Sequence, residues 1–273
     1  MKKFKVQYSV LKNGSLIAGI ALSILLTVIL SQDVSAQLTA KLTAKANHDH
    51  IKIDFFYHGS SVSVRGISDP ATDLIVKITS PEADQALRKK GKVAGLLWMN
   101  VGSVTFKHIP SLYFLNSTKK IEDILSKEEM DKHGIGYQAL ALHTEMHPVA
   151  DENEKAKWFG EFVKYKENSH LYSSVPGNVS VTEKDGKQDY YVLMDWPYQA
   201  HPGDYLVTVY AVKDNKVVEK AETKVLVEQV GIVKTLSAMA KNNGALYGII
   251  SIVAALGAGF GVGLIFRKGG GAH

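Results

Sequence analysis

IKIDFFYHGSSVSVRGISDPATDLIVKITS, residues 51–80, decides the fold. Ile51, Ile53 and Phe55 alternate with Lys52 and Asp54. Val62 and Val64 alternate with Ser61, Ser63 and Arg65, and Leu74, Val76 and Ile78 with Lys77 and Thr79. A period of two puts apolar side chains on one face and polar ones on the other, so half-buried strands are predicted here. Gly59-Ser60 and Ser68-Asp69-Pro70 punctuate them as turns.

Further strand signals follow at Val93 to Asn100, Val104 to Lys107 and Leu112 to Leu115. No crossover helix separates these segments, so they are expected to pair antiparallel and to build a sandwich rather than a parallel sheet. From about 118 to 168 the period becomes helical. Ile121, Ile124 and Leu125 follow a Ser117 or Thr118 cap; Tyr137, Leu140 and Ala141 run toward Pro148; Trp158, Phe159, Phe162 and Val163 form an apolar stripe expected to pack onto the sandwich. Asp151 with Glu154 has the spacing of a capping box.

Strands return at Val179 and Val181, Tyr190 to Met194, Tyr205 to Val212 and Val217 to Val227, with a hairpin turn at Lys213-Asp214-Asn215-Lys216. Pro202-Gly203-Asp204-Tyr205 has the turn-then-Tyr pattern of immunoglobulin-like corners. The expected fold is therefore mainly β: an antiparallel immunoglobulin-like sandwich, one or two of them, with a helical insertion. Spacing alone does not say whether the strands on either side of the insert share a sandwich.

The two ends set the topology. Ser15 to Leu30 is apolar apart from small hydroxyl residues, follows Lys2, Lys3, Lys5 and Lys12, and precedes Val34-Ser35-Ala36. This is the layout of a signal peptide over 1–36, cleaved after Ala36; an uncleaved anchor is the other reading. Ala245 to Phe266 holds no charge and, as a helix, extends about 33 Å, enough for one bilayer crossing. Arg267 and Lys268 follow, so the positive-inside bias places the 267–273 tail in the cytoplasm and the 37–230 domain in the periplasm. Residues 231–244, with Ile232, Val233, Leu236, Met239 and Ala240 at helical spacing, read as an amphipathic segment on the membrane surface. Within the span, Gly257 and Gly261, and likewise Gly259 and Gly263, stand four apart, a spacing that lets a neighbouring helix approach, including that of a second copy.

The chain has 273 residues, a net charge of +5 and no cysteine. Disulfides, thiol catalysis and cysteine zinc sites are thereby excluded. The positive excess lies at the two ends and leaves the middle slightly acidic, so basicity reports membrane flanks and not a nucleic-acid partner.

Arg88-Lys89-Lys90 with Gly95, Trp98 and Asn100, then Phe106, Pro110-Ser111-Leu112-Tyr113, Leu171-Tyr172, Pro202-Gly203-Asp204-Tyr205, Val209-Tyr210 and Tyr247-Gly248 carry a resemblance over nearly the whole chain after the signal peptide. The chain resembles a family of bacterial transmembrane proteins first described from alphaproteobacteria. The resemblance implies an exported domain with one carboxy-terminal membrane helix, no established activity, and genes often placed near permeases of the sulfite-exporter type.

Chemistry is sparse. His143 and His147 lie one turn apart if their segment is helical, but Glu145 does not directly follow the first histidine as the zincin pattern requires. They are weak metal candidates, as are His48 and His50 near the mature start. No Gly-x-Ser-x-Gly elbow and no phosphate loop occurs. Asp69, Asp73, Glu82 and Asp84 are candidates for paired-carboxylate chemistry should they converge. Arg88, Lys89, Lys90 and Lys92, beside the apolar Val93 to Trp98 run, are the most prominent exposed feature expected, suited to an anion or an acidic partner. The bland reading makes them a basic turn between a short helix and a strand, with Trp98 in the core. The sequence thus points to a non-enzymatic, cofactor-free, single-pass inner-membrane accessory protein whose partner is a permease or another envelope protein. The alternative is an envelope module that binds a small anion or a transition metal.

Overall fold

The computed structural model of the protein describes residues 41–47 and 49–267. The expected signal peptide, its cleavage site, His48 and the tail after residue 267 lie outside the described residues. In chain order the strands and helices are β1 (Lys45–Ala46), β2 (His50–Ile53), β3 (Ser60–Ser68), β4 (Asp73–Thr79), β5 (Glu82–Val93), β6 (Leu97–Pro110), β7 (Tyr113–Ser117), α1 (Ile121–Ile124), α2 (Lys127–His133), α3 (Tyr137–Leu142) and β8 (Glu145–His147). They continue with α4 (Glu152–Asn168), β9 (Tyr172–Pro176), β10 (Ser180–Lys184), β11 (Lys187–Trp196), β12 (Gly203–Lys213), β13 (Lys216–Gln229), α5 (Gly231–Asn242) and α6 (Gly244–Arg267).

Two sheets form the sandwich, one of four strands in the order β1-β3-β11-β10 and one of six in the order β2-β13-β12-β4-β7-β9. Strands from both sides of the helical segment interleave: β3 pairs with β11, and β4 with β12. The insert therefore interrupts one sandwich and does not separate two. Pairing is antiparallel throughout the interior, as expected, but β2 joins β13 and β9 joins β7 in parallel. Parallel neighbours need a long crossover, and both have one. The helices α1 to α4 supply it between β7 and β9, and most of the chain supplies it between β2 and β13.

The sheets face each other through aromatic side chains. Trp196 on β11 meets the Tyr205 ring on β12 edge to face at 4.7 Å and the Phe114 ring on β7 at 6.5 Å. On β11, Gln188, Tyr190, Val192, Met194 and Trp196 are buried while the residues between them are exposed, the period-two pattern of a sheet with one wet face. On β4, Leu74, Ile75, Val76 and Ile78 are all fully buried. That strand is covered on both faces, because helices lie over the side opposite the second sheet. Burying each such side chain stabilises by about 1.5–3 kcal/mol relative to exposure. Lys77, on the helix-covered face, donates from Nζ to the carbonyl of His133 at 2.6 Å and sits over the Tyr210 ring.

Tyr205 Oη donates to the carbonyl of His201 at 2.7 Å, which ties the loop before β12 to the strand it enters. At the far end, Asp214 and Asn215 both take positive φ and close the β12–β13 hairpin tightly.

The third sheet departs from the sequence reading. The basic run and the apolar run after it form one long hairpin, β5–β6, extended by the short β8, with no helix at Arg88. Helix α4 lies along its stem: Phe162 stacks on Phe106 at 4.4 Å and meets Tyr172 edge to face at 5.8 Å. Asp151 caps α4 by accepting from the Glu154 N–H at 2.8 Å, and Glu154 reaches back to the Ala150 N–H at 2.9 Å. The anticipated box is present, with its return bond one residue earlier than the usual partner.

After β13 the chain enters α5 with no intervening loop, then α6. No residue of α5 is buried, and α6 is apolar and exposed along its length. A helix that is apolar on every side and covered by nothing requires a hydrocarbon surrounding.

Candidate functional site

Strand directions bring several features to one end of the sandwich. β4 and β13 both run antiparallel to β12, hence parallel to each other, and β2 runs parallel to β13. All three finish at the same end. From that end β13 leaves for α5 and α6, β4 leads into the β5–β6 hairpin, and β2 leads into the turn at Phe55 and Phe56. The Val230 N–H donates to the Ile53 carbonyl at 2.9 Å, which locks the aromatic turn beside the exit to the membrane helix.

Alternation along the hairpin splits the basic cluster. Lys89 faces α4, where its Nζ lies 3.4 Å from Glu154 Oε1 and 4.5 Å from the centre of the Trp158 ring. The Ala150 N–H, then the Trp158 indole N–H and the Lys89 ammonium, hold the Glu154 carboxyl below the usual carboxylate range. Arg88, Lys90 and Lys92 are exposed. Lys92 Nζ lies 5.6 Å from the centre of the Trp98 ring across the hairpin. Trp98 is 68% exposed, which overturns its expected core position. The strands outrun the sheet, so the hairpin tip has no facing layer to bury it.

The other sequence candidates are dispersed. His143 and His147 do not share a helix face: α3 stops at Leu142, and Glu145–His147 is a strand on β6. Pairing Met146 with Phe106 buries the methionine and turns its neighbours outward. His143 Nε2 lies 3.0 Å from the Asp131 carbonyl, and His147 Nε2 lies 3.9 Å from Glu145 Oε2. His50 Nε2 lies 2.9 Å from Glu228 Oε1. Among the described residues no group of three or more His, Asp or Glu side chains is arranged to hold a metal ion. The acidic candidates do not converge either. Asp73 opens β4 and is engaged by Thr118 and Lys119, whereas Glu82 lies beyond the other end of that strand, about 20 Å along it.

One feature carries no sequence signal. A cleft of about 600 Å³ opens between the sheets, lined by His58, Phe114, His170, Trp196, Tyr198 and Gln199 among others. The Trp196 indole N–H and the Gln199 side-chain oxygen are buried without a hydrogen-bond partner. Only the sandwich brings these two residues together with His170.

Gly257, Gly259, Gly261 and Gly263 lie on α6 with nothing within 4 Å of where a Cβ would stand. Neighbouring backbones have free access to them.

A β-sandwich whose last strand continues into a bare, bilayer-length helix defines a membrane protein with, among the described residues, one carboxy-terminal candidate span. The chain belongs to the family described as Putative transmembrane protein (Alph_Pro_TM), and the match runs over residues 41–268. No curated protein matches it.

Proposed function

We propose that the protein is a non-enzymatic accessory protein of the bacterial inner membrane, with its sandwich in the periplasm and its tail in the cytoplasm. It engages an envelope partner, and a permease of the sulfite-exporter type is the partner class that the family resemblance suggests. The observation that carries this reading is α6. Its apolar side chains are exposed on every side, and Gly257, Gly259, Gly261 and Gly263 leave two flat tracks for another helix, from a partner or from a second copy. Glycine is common in membrane helices, so what supports the reading is the spacing of four within each pair, which lets a neighbouring backbone approach closely.

The test is co-purification from membranes under mild detergent, with residues 245–266 intact or replaced by polyleucine. Loss of the partner on replacement is the expected result, and an unchanged partner set defeats the reading. Protease treatment of spheroplasts tests the orientation: cleavage between residues 41 and 230 is expected, and protection there places the domain on the wrong side.

A further inference from the structure

The β5–β6 hairpin is built in two halves. Its stem is held by β8 and α4, and Lys89, paired across to Gly102, marks where that support ends. Beyond this point the chain runs to a turn at Ala94-Gly95, both with positive φ, and back again. Leu96 at the apex is 84% exposed and Leu97 65%. Val93, Met99 and Val101 are exposed as well.

The register sorts the tip into two faces. Val93 opposes Leu97 and Gly91 opposes Met99, while a Cβ at Gly91 would meet the Val101 side chain, so Val93, Leu97, Met99 and Val101 share one apolar face. On the other face Lys92 opposes Trp98 and Lys90 opposes Asn100, with Arg88 next along the strand. Read from the apex inward, the order is aliphatic residues first, then Trp98 under the Lys92 ammonium, then Lys90 and Arg88.

A protein groove seats one face of such a ribbon. Here apolar side chains occupy the apex and one whole face, and an indole lies on the other, which suits a medium that surrounds the tip. Tryptophan favours the level of lipid head groups, cations behind it reach lipid phosphates, and long basic side chains lay their stems on apolar surface while their charges stay wet. The chain also supplies the bilayer: β4 hands over to the hairpin at the end from which β13 departs for α6. A tethered tip meets the membrane at high effective concentration, so modest affinity suffices.

We propose that the β5–β6 tip is a second membrane contact, specific for anionic lipid. It places Val93, Leu96, Leu97 and Met99 at the acyl boundary, Trp98 among the head groups, and Arg88, Lys90 and Lys92 on their phosphates. This goes beyond the accessory role and stands or falls separately from it.

The absence of cysteine from the chain makes the test direct. Full-length protein carrying Leu97→Cys, labelled with an environment-sensitive fluorophore, is reconstituted into phosphatidylcholine vesicles with or without phosphatidylglycerol, using spin-labelled lipid as quencher. Lys184→Cys, exposed next to the β10–β11 turn at the opposite end of the sandwich, is the control. The probe at position 97 is expected to shift to the blue and be quenched when phosphatidylglycerol is present, and the control to do neither. Exchanging Arg88, Lys90 and Lys92 together for Gln is expected to lower the docked-to-free ratio on the order of tenfold or more. All these positions are exposed, and an unchanged thermal midpoint verifies that each variant is folded. Quenching at 97 no greater than at 184 overturns the proposal, as does quenching indifferent to phosphatidylglycerol. A blue shift without lipid quenching identifies a protein contact instead and overturns it too.

Discussion

The backbone N–H of Val230, the last residue before α5, donates to the carbonyl of Ile53, the last residue of β2, at 2.9 Å. A second bond, from the Leu226 N–H to the Asp49 carbonyl at 2.7 Å, fixes the start of the same edge strand. The exit toward the membrane is thus stitched to the sheet on both sides of β13, by β12 along its length and by β2 over its last turn of pleat.

Val230→Pro removes the donor and asks for a φ near −65° where the chain has −126°. A cost of about 1–3 kcal/mol is expected. Amide exchange of His50 to Ile53 is expected to quicken while β12 stays protected; equal protection in the variant would show that the clamp carries no stability.

Tyr205→Phe keeps the ring against Trp196 and removes only the hydroxyl that reaches His201. A loss of about 1 kcal/mol in thermal unfolding is expected, and the loop from Pro197 to Pro202 should become the first protease site. Burial pushes the Tyr205 phenol up to about 12. An acid whose folded value is raised gives stability that is complete below its unfolded value near 10 and is lost as pH rises through 12. The phenylalanine variant is expected to lose part of this alkaline sensitivity.

Much of this was readable because a strand with one wet face writes its period directly. Most of residues 51–80, the β12–β13 hairpin and the Asp151 cap carry their geometry in spacing alone, but Phe55, expected beside Ile51 and Ile53 on a strand's apolar face, is 71% exposed because β2 ends at Ile53. The failures came where that code lapses. Arg88 to Asn100 shows no alternation of polar and apolar residues because the hairpin tip leaves the core and has no layer over either face, so a charged strand reads as a turn and the exposed Trp98 as a core residue. Leu140 and Ala141 set a helical spacing that extends on paper to His143 and His147, yet pairing of Glu145–His147 with β6 overrides local propensity. Helix α2 has no apolar stripe to mark it, since its seven residues include no buried side chain, although Ser126 and Glu129 carry its capping signal. Thr118, read as a cap, instead donates to Asp73. The inter-sheet cleft depends on residues more than a hundred positions apart and has no local trace.

Two lysines give a pH dependence of opposite sign to that of the tyrosines. Burial lowers Lys77 to about 8, helped by the nearby Lys220 ammonium, and burial alone lowers Lys166 to about 8. Both ammonium groups keep carbonyl partners, His133 for Lys77 and Ser111 for Lys166. In the folded state they shed a proton that the unfolded chain retains up to about 10.4, so stability rises between pH 8 and 10. The thermal midpoint is expected to climb across that window, and to climb less in Lys166→Met. A flat profile from pH 7.5 to 9.5 would contradict the assignment.

Gly66 lies beneath the segment that enters β1. A Cβ there would stand 1.9 Å from the Thr43 carbonyl oxygen and 2.8 Å from the Tyr190 hydroxyl that donates to that same oxygen. Gly66→Ala must lift residues 42–46 off β3. A cost of about 1–3 kcal/mol is expected, with early proteolysis near Lys45; an alanine variant as stable as the parent would mean that the segment is not packed as described.

The direct passage from β13 into α5 has a mechanical consequence. Tension along the membrane anchor pulls β13 lengthwise, against its ladders with β12 and β2 together, so these bonds are loaded in shear and must rupture collectively. Tension applied instead at the Asp214-Asn215 turn would peel the β12–β13 pair apart one bond after another. Load carried along β13 is therefore shared by many hydrogen bonds at once and does not fall on one bond at a time.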